Sequence, residues 1–203
     1  MIHPQPVVLN PVPTFVFGAV IACWFAFWLW FVFRWKRKPK AAVVKRRGRS
    51  AWGLFLQGCG YFLVFGMKRQ MFTPLFPMPY VAEIALGIVT IAIAAGSMWI
   101  WMMAILTLGK QWGLVARVME GHQLITAGPY GKVRNPIYLS MFGMLVATGL
   151  ALSTWWALLA VMVLSVVGAQ IRIRNEEQVL RDSFGAEFDA YVRQVPAMFP
   201  RIF

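Results

Sequence analysis

From His122 to Tyr138 the chain gathers His122, Gln123, Tyr130, Arg134, Asn135 and Tyr138 around a Gly128-Pro129 turn signal, and further on Glu176 and Glu177 stand side by side. These types suit a small ligand carrying charges of both signs. A carboxylate only accepts hydrogen bonds, so either Glu can take them from hydroxyls or an ammonium. An Arg fork matches a carboxylate, and Tyr faces attract a cation. Each residue alone fits a plainer role equally well. The two Glu can pair with Arg172, Arg174 or Arg181 on a solvated face, Arg134 can snorkel to lipid headgroups, and the Tyr residues can belong to an interfacial belt.

The elements that must position this cluster are apolar. Of 203 residues, 60% are hydrophobic and 13% charged, with a positive mean hydropathy, the composition of a multi-pass membrane protein. Thr14 to Phe33, Ala51 to Met67 and Glu83 to Leu108 read as spans. The block from Pro136 to Ile173 exceeds one span and divides at Ser153 and Thr154 into a hairpin. The expectation is an all-α integral membrane fold of about five transmembrane helices. No Lys or Arg precedes the first run and no small-residue cleavage site follows it, so it reads as a span rather than a removable signal.

Lys and Arg orient these spans. With the N-terminus outside, a basic loop at 34–49, the loop before the fourth span and the C-terminal region all fall inside, leaving Lys68 and Arg69 outside. The net charge of +13 is thereby accounted for at the bilayer surface rather than by nucleic acid. Residues 1–108 read as three membrane helices with their basic inner loop, and 109–203 as the half that holds the polar loop, the helical hairpin and the C-terminal helix. Gly87, Gly96, Gly143, Gly149 and Gly168 allow close helix approach. With His3 and His122 the only histidines and Cys23 and Cys59 inside apolar runs, no metal-ligand spacing is present.

Segments 112–118 and 122–126 read as a short hairpin or an irregular extended pair, and Pro136 suits the first turn of the fourth span. After the fifth span, Leu180, Phe184, Phe188, Tyr191 and Val195 share one face of a C-terminal amphipathic helix that Gly185 can break.

Taken together, HQLITAGPYGKVRNPIY from His122 to Tyr138 and NEEQVLRDSFGAEFDAY from Asn175 to Tyr191 resemble the isoprenylcysteine carboxyl methyltransferase family, which is similar to the phospholipid N-methyltransferases. The resemblance covers the chain from about Leu108 onward. It implies an S-adenosylmethionine-dependent membrane enzyme with its cofactor pocket at the cytoplasmic face. His122, Gln123, Leu124, Gly128, Pro129, Tyr130, Arg134, Asn135, Pro136 and Tyr138 would form one wall, and Glu176 and Glu177 the acidic side, with Arg134 and Glu177 catalytic. The family usually has His where this chain has Asn135; an amide can keep a hydrogen bond there. The implied acceptor is lipidic or hydrophobic, a carboxylate of the isoprenylcysteine kind or an aminophospholipid, reached among the third, fourth and fifth spans. A bacterial inner membrane suits so small a chain. The rival readings are an NADPH-dependent sterol-type reductase, which would set Arg172, Arg174 and Arg181 around a 2′-phosphate, and a non-enzymatic membrane subunit.

Overall fold

A computed structural model describes residues 10–36, 43–46, 51–112, 117–119 and 123–199. Continuous apolar sequence becomes helix because backbone N–H and C=O groups in hydrocarbon must bond within their own segment. Among the described residues six α-helices form: α1 (Pro11–Lys36), α2 (Ala51–Gly66), α3 (Tyr80–Leu108), α4 (Pro136–Leu152), α5 (Trp155–Phe184) and α6 (Ala186–Gln194). Asn10 starts α1 by accepting from the Val12 N–H at 3.2 Å, and its amide donates to Glu83 of α3 at 2.9 Å. The expected turn at Ser153 and Thr154 separates α4 from α5.

Stretches of α1, α3 and α5 are long and apolar enough to cross a bilayer. The apolar helices α2 and α4, at 16 and 17 residues, are shorter than the roughly 20 residues a span needs. Helix α4 contacts α1, α2, α3 and α5, with α3 its most extensive partner, while α2 lies chiefly along α5. Glycines permit these approaches. A Cβ at Gly168 would lie 3.0 Å from the Gly53 carbonyl oxygen and 3.1 Å from Gln57 Cγ, so α2 and α5 touch backbone to backbone. Gly87, Gly143 and Gly149 instead receive the side chains of Val16, Ser97 and Leu158, whereas Gly96 faces open space, so its expected packing role is corrected. Replacing Gly168 by Val should force α2 off α5 at a cost of about 1–3 kcal/mol. A lowered thermal midpoint in detergent micelles checks this.

Other expectations need amendment. Of the expected hairpin or irregular pair of 112–118 with 122–126, residues 113–116 and 122 lie outside the described residues; 123–126 form no strand, and β2 (Arg117–Met119) bonds β1 (Val43–Arg46) in an antiparallel ribbon, so two chain-distant loops meet at one end of the bundle. The C-terminal helix does not begin after the fifth span: residues 175–184 continue α5 as one rod. Gly185, at φ +52°, then breaks the rod, a conformation glycine adopts without Cβ strain. The short α6 folds back so that Phe188, Tyr191 and Val195 pack with Leu180, Phe184 and Leu124. The expected apolar face survives, divided between two helices.

At the opposite end, Arg69 closes α4. Its guanidinium donates to the carbonyls of Leu150 and Ala151 at 2.9 and 2.8 Å and of Ser153 at 2.7 Å, three of the acceptors a helix end leaves unmatched. Burial pushes its pKa down to about 10, so it remains charged at neutral pH.

Candidate functional site

A cavity of about 560 Å³ opens at the end of the bundle where the β1–β2 ribbon and α6 lie. Its polar side is built on the segment between α3 and α4. A 3-10 turn at Gly128–Gly131 begins with Gly128 at φ +59° and carries Tyr130 inward. Pro136 occupies the first turn of α4, where its missing N–H costs nothing, and is fully buried. Gln111 accepts from the Gln123 N–H at 3.0 Å and fixes the entry to this segment.

The two acidic residues are not merely opposite this wall; they are bonded to it. Arg134 Nε and Nη2 both reach Glu177 Oε1, at 2.9 and 2.8 Å. Arg134 Nη1 donates to the carbonyls of Val192, at 3.3 Å, and Val195. Of five N–H donors, one on Nη2 is left uncommitted among the described residues. Tyr138 donates to Glu176 Oε1, and Arg172 Nε donates to the Tyr138 hydroxyl at 2.7 Å. Glu176 and Glu177 thus use their Oε1 atoms inside the protein. Among the described residues their Oε2 atoms carry no partner, and both side chains line the cavity.

The segment after α6 is stitched to the same wall. The Arg134 N–H donates to Pro196 O at 2.9 Å, and the Asn135 N–H and side-chain amide donate to Ala197 O at 3.0 and 2.8 Å. The amide at 135 therefore does hold a hydrogen bond. Tyr191 donates to the Tyr130 carbonyl at 2.6 Å. Burial pushes the Tyr191 phenol up to about 12 and raises that of Tyr130 as well, so both stay protonated.

Of the residues expected at the site, Gln123, Leu124, Tyr130, Arg134, Asn135, Tyr138, Glu176 and Glu177 line the cavity. Gly128, Pro129 and Pro136 do not; they shape the turn and the helix start that carry the others. His122 lies outside the described residues.

The apolar side was expected among α3, α4 and α5. It also includes Phe27 and Phe31 of α1 and Leu54 of α2, which meet Trp101 of α3, Trp112, and Ile137 and Met141 of α4. Trp101 is 3% exposed, with the Phe27 ring 3.9 Å and the Trp30 ring 5.0 Å from its own. Helices α1 and α2 meet through Trp24, whose ring lies 5.7 Å from Tyr61 and 5.9 Å from Phe65. The arginines offered for a 2′-phosphate are dispersed: Arg172 is turned to Tyr138 and Glu176, Arg174 is exposed, and Arg181 pairs with Asp189 at 2.8 Å on an outer face.

Two relatives share about half of this chain. The nickel-cobalt-cadmium resistance protein NccN of Alcaligenes xylosoxydans xylosoxydans is 35% identical over 98 residues, 47% of this chain and 45% of that protein. The cobalt-zinc-cadmium resistance protein CzcN of Cupriavidus metallidurans is 32% identical over 102 residues, 47% of this chain and 44% of that one. The chain thus matches about half the length of either relative. The family model for phospholipid methyltransferases matches residues 82–187, which take in α3, the polar segment, α4 and α5 with both glutamates. With more than half of its length under that match, the chain belongs to the phospholipid methyltransferase family of membrane methyltransferases.

Proposed function

We propose that the protein transfers a methyl group from S-adenosylmethionine to a lipidic or hydrophobic acceptor, at the cytoplasmic end of its membrane bundle. The observation that carries this reading is a single cavity with two unlike sides, one holding Arg134, Tyr138, Glu176 and Glu177 and the other Phe27, Phe31, Trp101 and Trp112. At about 560 Å³ it is within the range of pockets that hold drug-sized ligands.

The residues fit the donor by chemistry. The Oε2 atoms of Glu176 and Glu177 would accept from its ammonium or ribose hydroxyls. The remaining Arg134 N–H and the Gln123 amide would meet its carboxylate, and Tyr130, Leu124 and Phe188 offer faces for its adenine. Bound there, S-adenosylmethionine supplies an electrophilic methyl on sulfur. The chain's own work is to align the two reactants and keep water out, which the ring cluster around Trp101 favours. A carboxylate acceptor needs no base; an aminophospholipid must lose a proton, and the free oxygen of either Glu is the available acceptor.

The acceptor's tail would lie against Phe27, Phe31 and Leu54. Lys45, Arg46 and Arg117 of the ribbon belong to the cavity end, which agrees with a cytoplasmic site by the positive-inside rule. A bacterial inner membrane is the setting we assign. Membrane lipids and the acceptor are then the partners, with no role for nucleic acid. The metals in the two relatives' names make cells grown with nickel, cobalt, zinc or cadmium a sensible source for acceptor screening.

Calorimetric titration of the detergent-purified protein with S-adenosylhomocysteine and, separately, NADPH tests the reading. The expected result is binding of the first alone, with a Kd on the order of micromolar, weakened at least about 10-fold in Glu177→Gln. Binding of NADPH alone would overturn it.

A further inference from the structure

Arg172 is 7% exposed, although the sequence offered it for a pairing on a solvated face or for a 2′-phosphate. Three contacts carry its influence into the cavity. Its Nε donates to the Tyr138 hydroxyl at 2.7 Å, its Nη2 lies 3.5 Å from Glu176 Oε1, and its guanidinium sits over the Tyr138 ring at 5.3 Å. An arginine N–H cannot accept, so it fixes the sense of the chain: the phenol oxygen accepts from Arg172, and the one phenol proton goes to Glu176 Oε1. Oε1 is then occupied from two directions, and Oε2 is the oxygen left to face the cavity.

The stem of Arg172 runs through a notch in α2. A Cβ at Gly53 would lie 2.5 Å from Arg172 Cγ and 3.3 Å from its Cδ. Helix α2 lies outside the family match, yet its missing side chain at 53 is what admits this arm. A lysine would restore the charge but not the planar Nε–H that addresses the phenol.

We infer that Arg172 is a positioning residue for the methyl donor: acting through Tyr138, it holds Glu176 with one carboxylate oxygen turned into the cavity, and Gly53 is the notch that lets it do so. This rests on the cavity being the donor site. The test is calorimetric affinity for S-adenosylhomocysteine in wild type, Arg172→Lys, Tyr138→Phe and Glu176→Gln, with each of the first two substitutions also combined with the third. Arg172→Lys and Tyr138→Phe should each weaken binding about 10-fold in the wild-type background and less than about 2-fold once Glu176 is Gln, because their effect passes through that carboxylate. Additive losses would assign Arg172 a packing role and overturn the inference, as would wild-type affinity in Arg172→Lys. Should Arg172→Lys fail to fold, Tyr138→Phe, which keeps the ring, decides alone by the same criterion. Absence of binding by the wild type would remove the donor reading and this inference with it.

Discussion

Arg134→Met is expected to abolish S-adenosylhomocysteine binding and to release the segment that follows α6. The guanidinium is the meeting point of three pieces of chain: Glu177 from α5, the Val192 carbonyl from α6 and the Val195 carbonyl beyond it. Arg134 and Glu177 side chains retain 10% and 16% exposure, so the pair is mostly desolvated. Methionine fills much of the volume but leaves a carboxylate unpaired in that setting, and breaking a buried pair by removing one partner costs about 3–5 kcal/mol. Two carbonyls lose their donor as well. A drop in thermal midpoint, at least about 100-fold weaker binding by calorimetry and faster proteolysis near 195–199 would appear together. Adding Glu177→Gln to Arg134→Met should return part of the midpoint but none of the binding, because it removes the stranded charge without rebuilding the site. Wild-type affinity in Arg134→Met would refute the assignment of this pair to the donor.

Trp101→Ala should separate the two sides of the cavity. The Trp101 ring is enclosed by Phe27, Trp30 and Phe31, and truncation removes their common neighbour. A Trp-to-Ala void of this kind costs about 3–5 kcal/mol. None of the donors and acceptors that surround Glu176 and Glu177 is touched, so affinity for S-adenosylhomocysteine should change by less than about 2-fold. Transfer of labelled methyl from the donor into membrane lipid extract should instead fall by about 100-fold, a loss of ~2.7 kcal/mol in acceptor positioning. Equal losses of donor binding and methyl transfer would mean that the two sides are not distinct.

The helices were legible because membrane sequence is nearly continuous in its apolar character. Ser153 with Thr154 and Gly185 marked breaks that the fold uses, for want of a long side chain or of a Cβ. The polar cluster was legible only as a set, since Arg134, Tyr138, Glu176 and Glu177 each fit a plainer role alone and it was the two motifs together that joined them. What could not be read was which face of α1 and α2 turns inward. Lipid and protein interior are equally apolar, so no periodic polar stripe betrays the buried side, and Phe27 and Phe31 look like their exposed neighbours Phe25 and Trp28. The pairing of Arg172 with a glutamate was legible, but its burial was not, because the notch at Gly53 that draws the side chain inward is a property of two helices together. The ribbon joining 43–46 to 117–119 was missed because pairing between distant loops leaves no local signal.

The stitch between Arg134, Asn135 and the carbonyls of Pro196 and Ala197 sets an order of events during biosynthesis. Residues 195–197 leave the ribosome after all six helices, so the bundle can be threaded into the lipid while its pocket still lacks a wall. Only when this late segment docks do the Arg134 backbone N–H, one Nη1 hydrogen and the Asn135 amide find their acceptors, whereas Glu177 already holds the rest of the guanidinium. A nascent chain halted before it would carry the helices of the bundle without the wall that residues 195–197 add to the cavity.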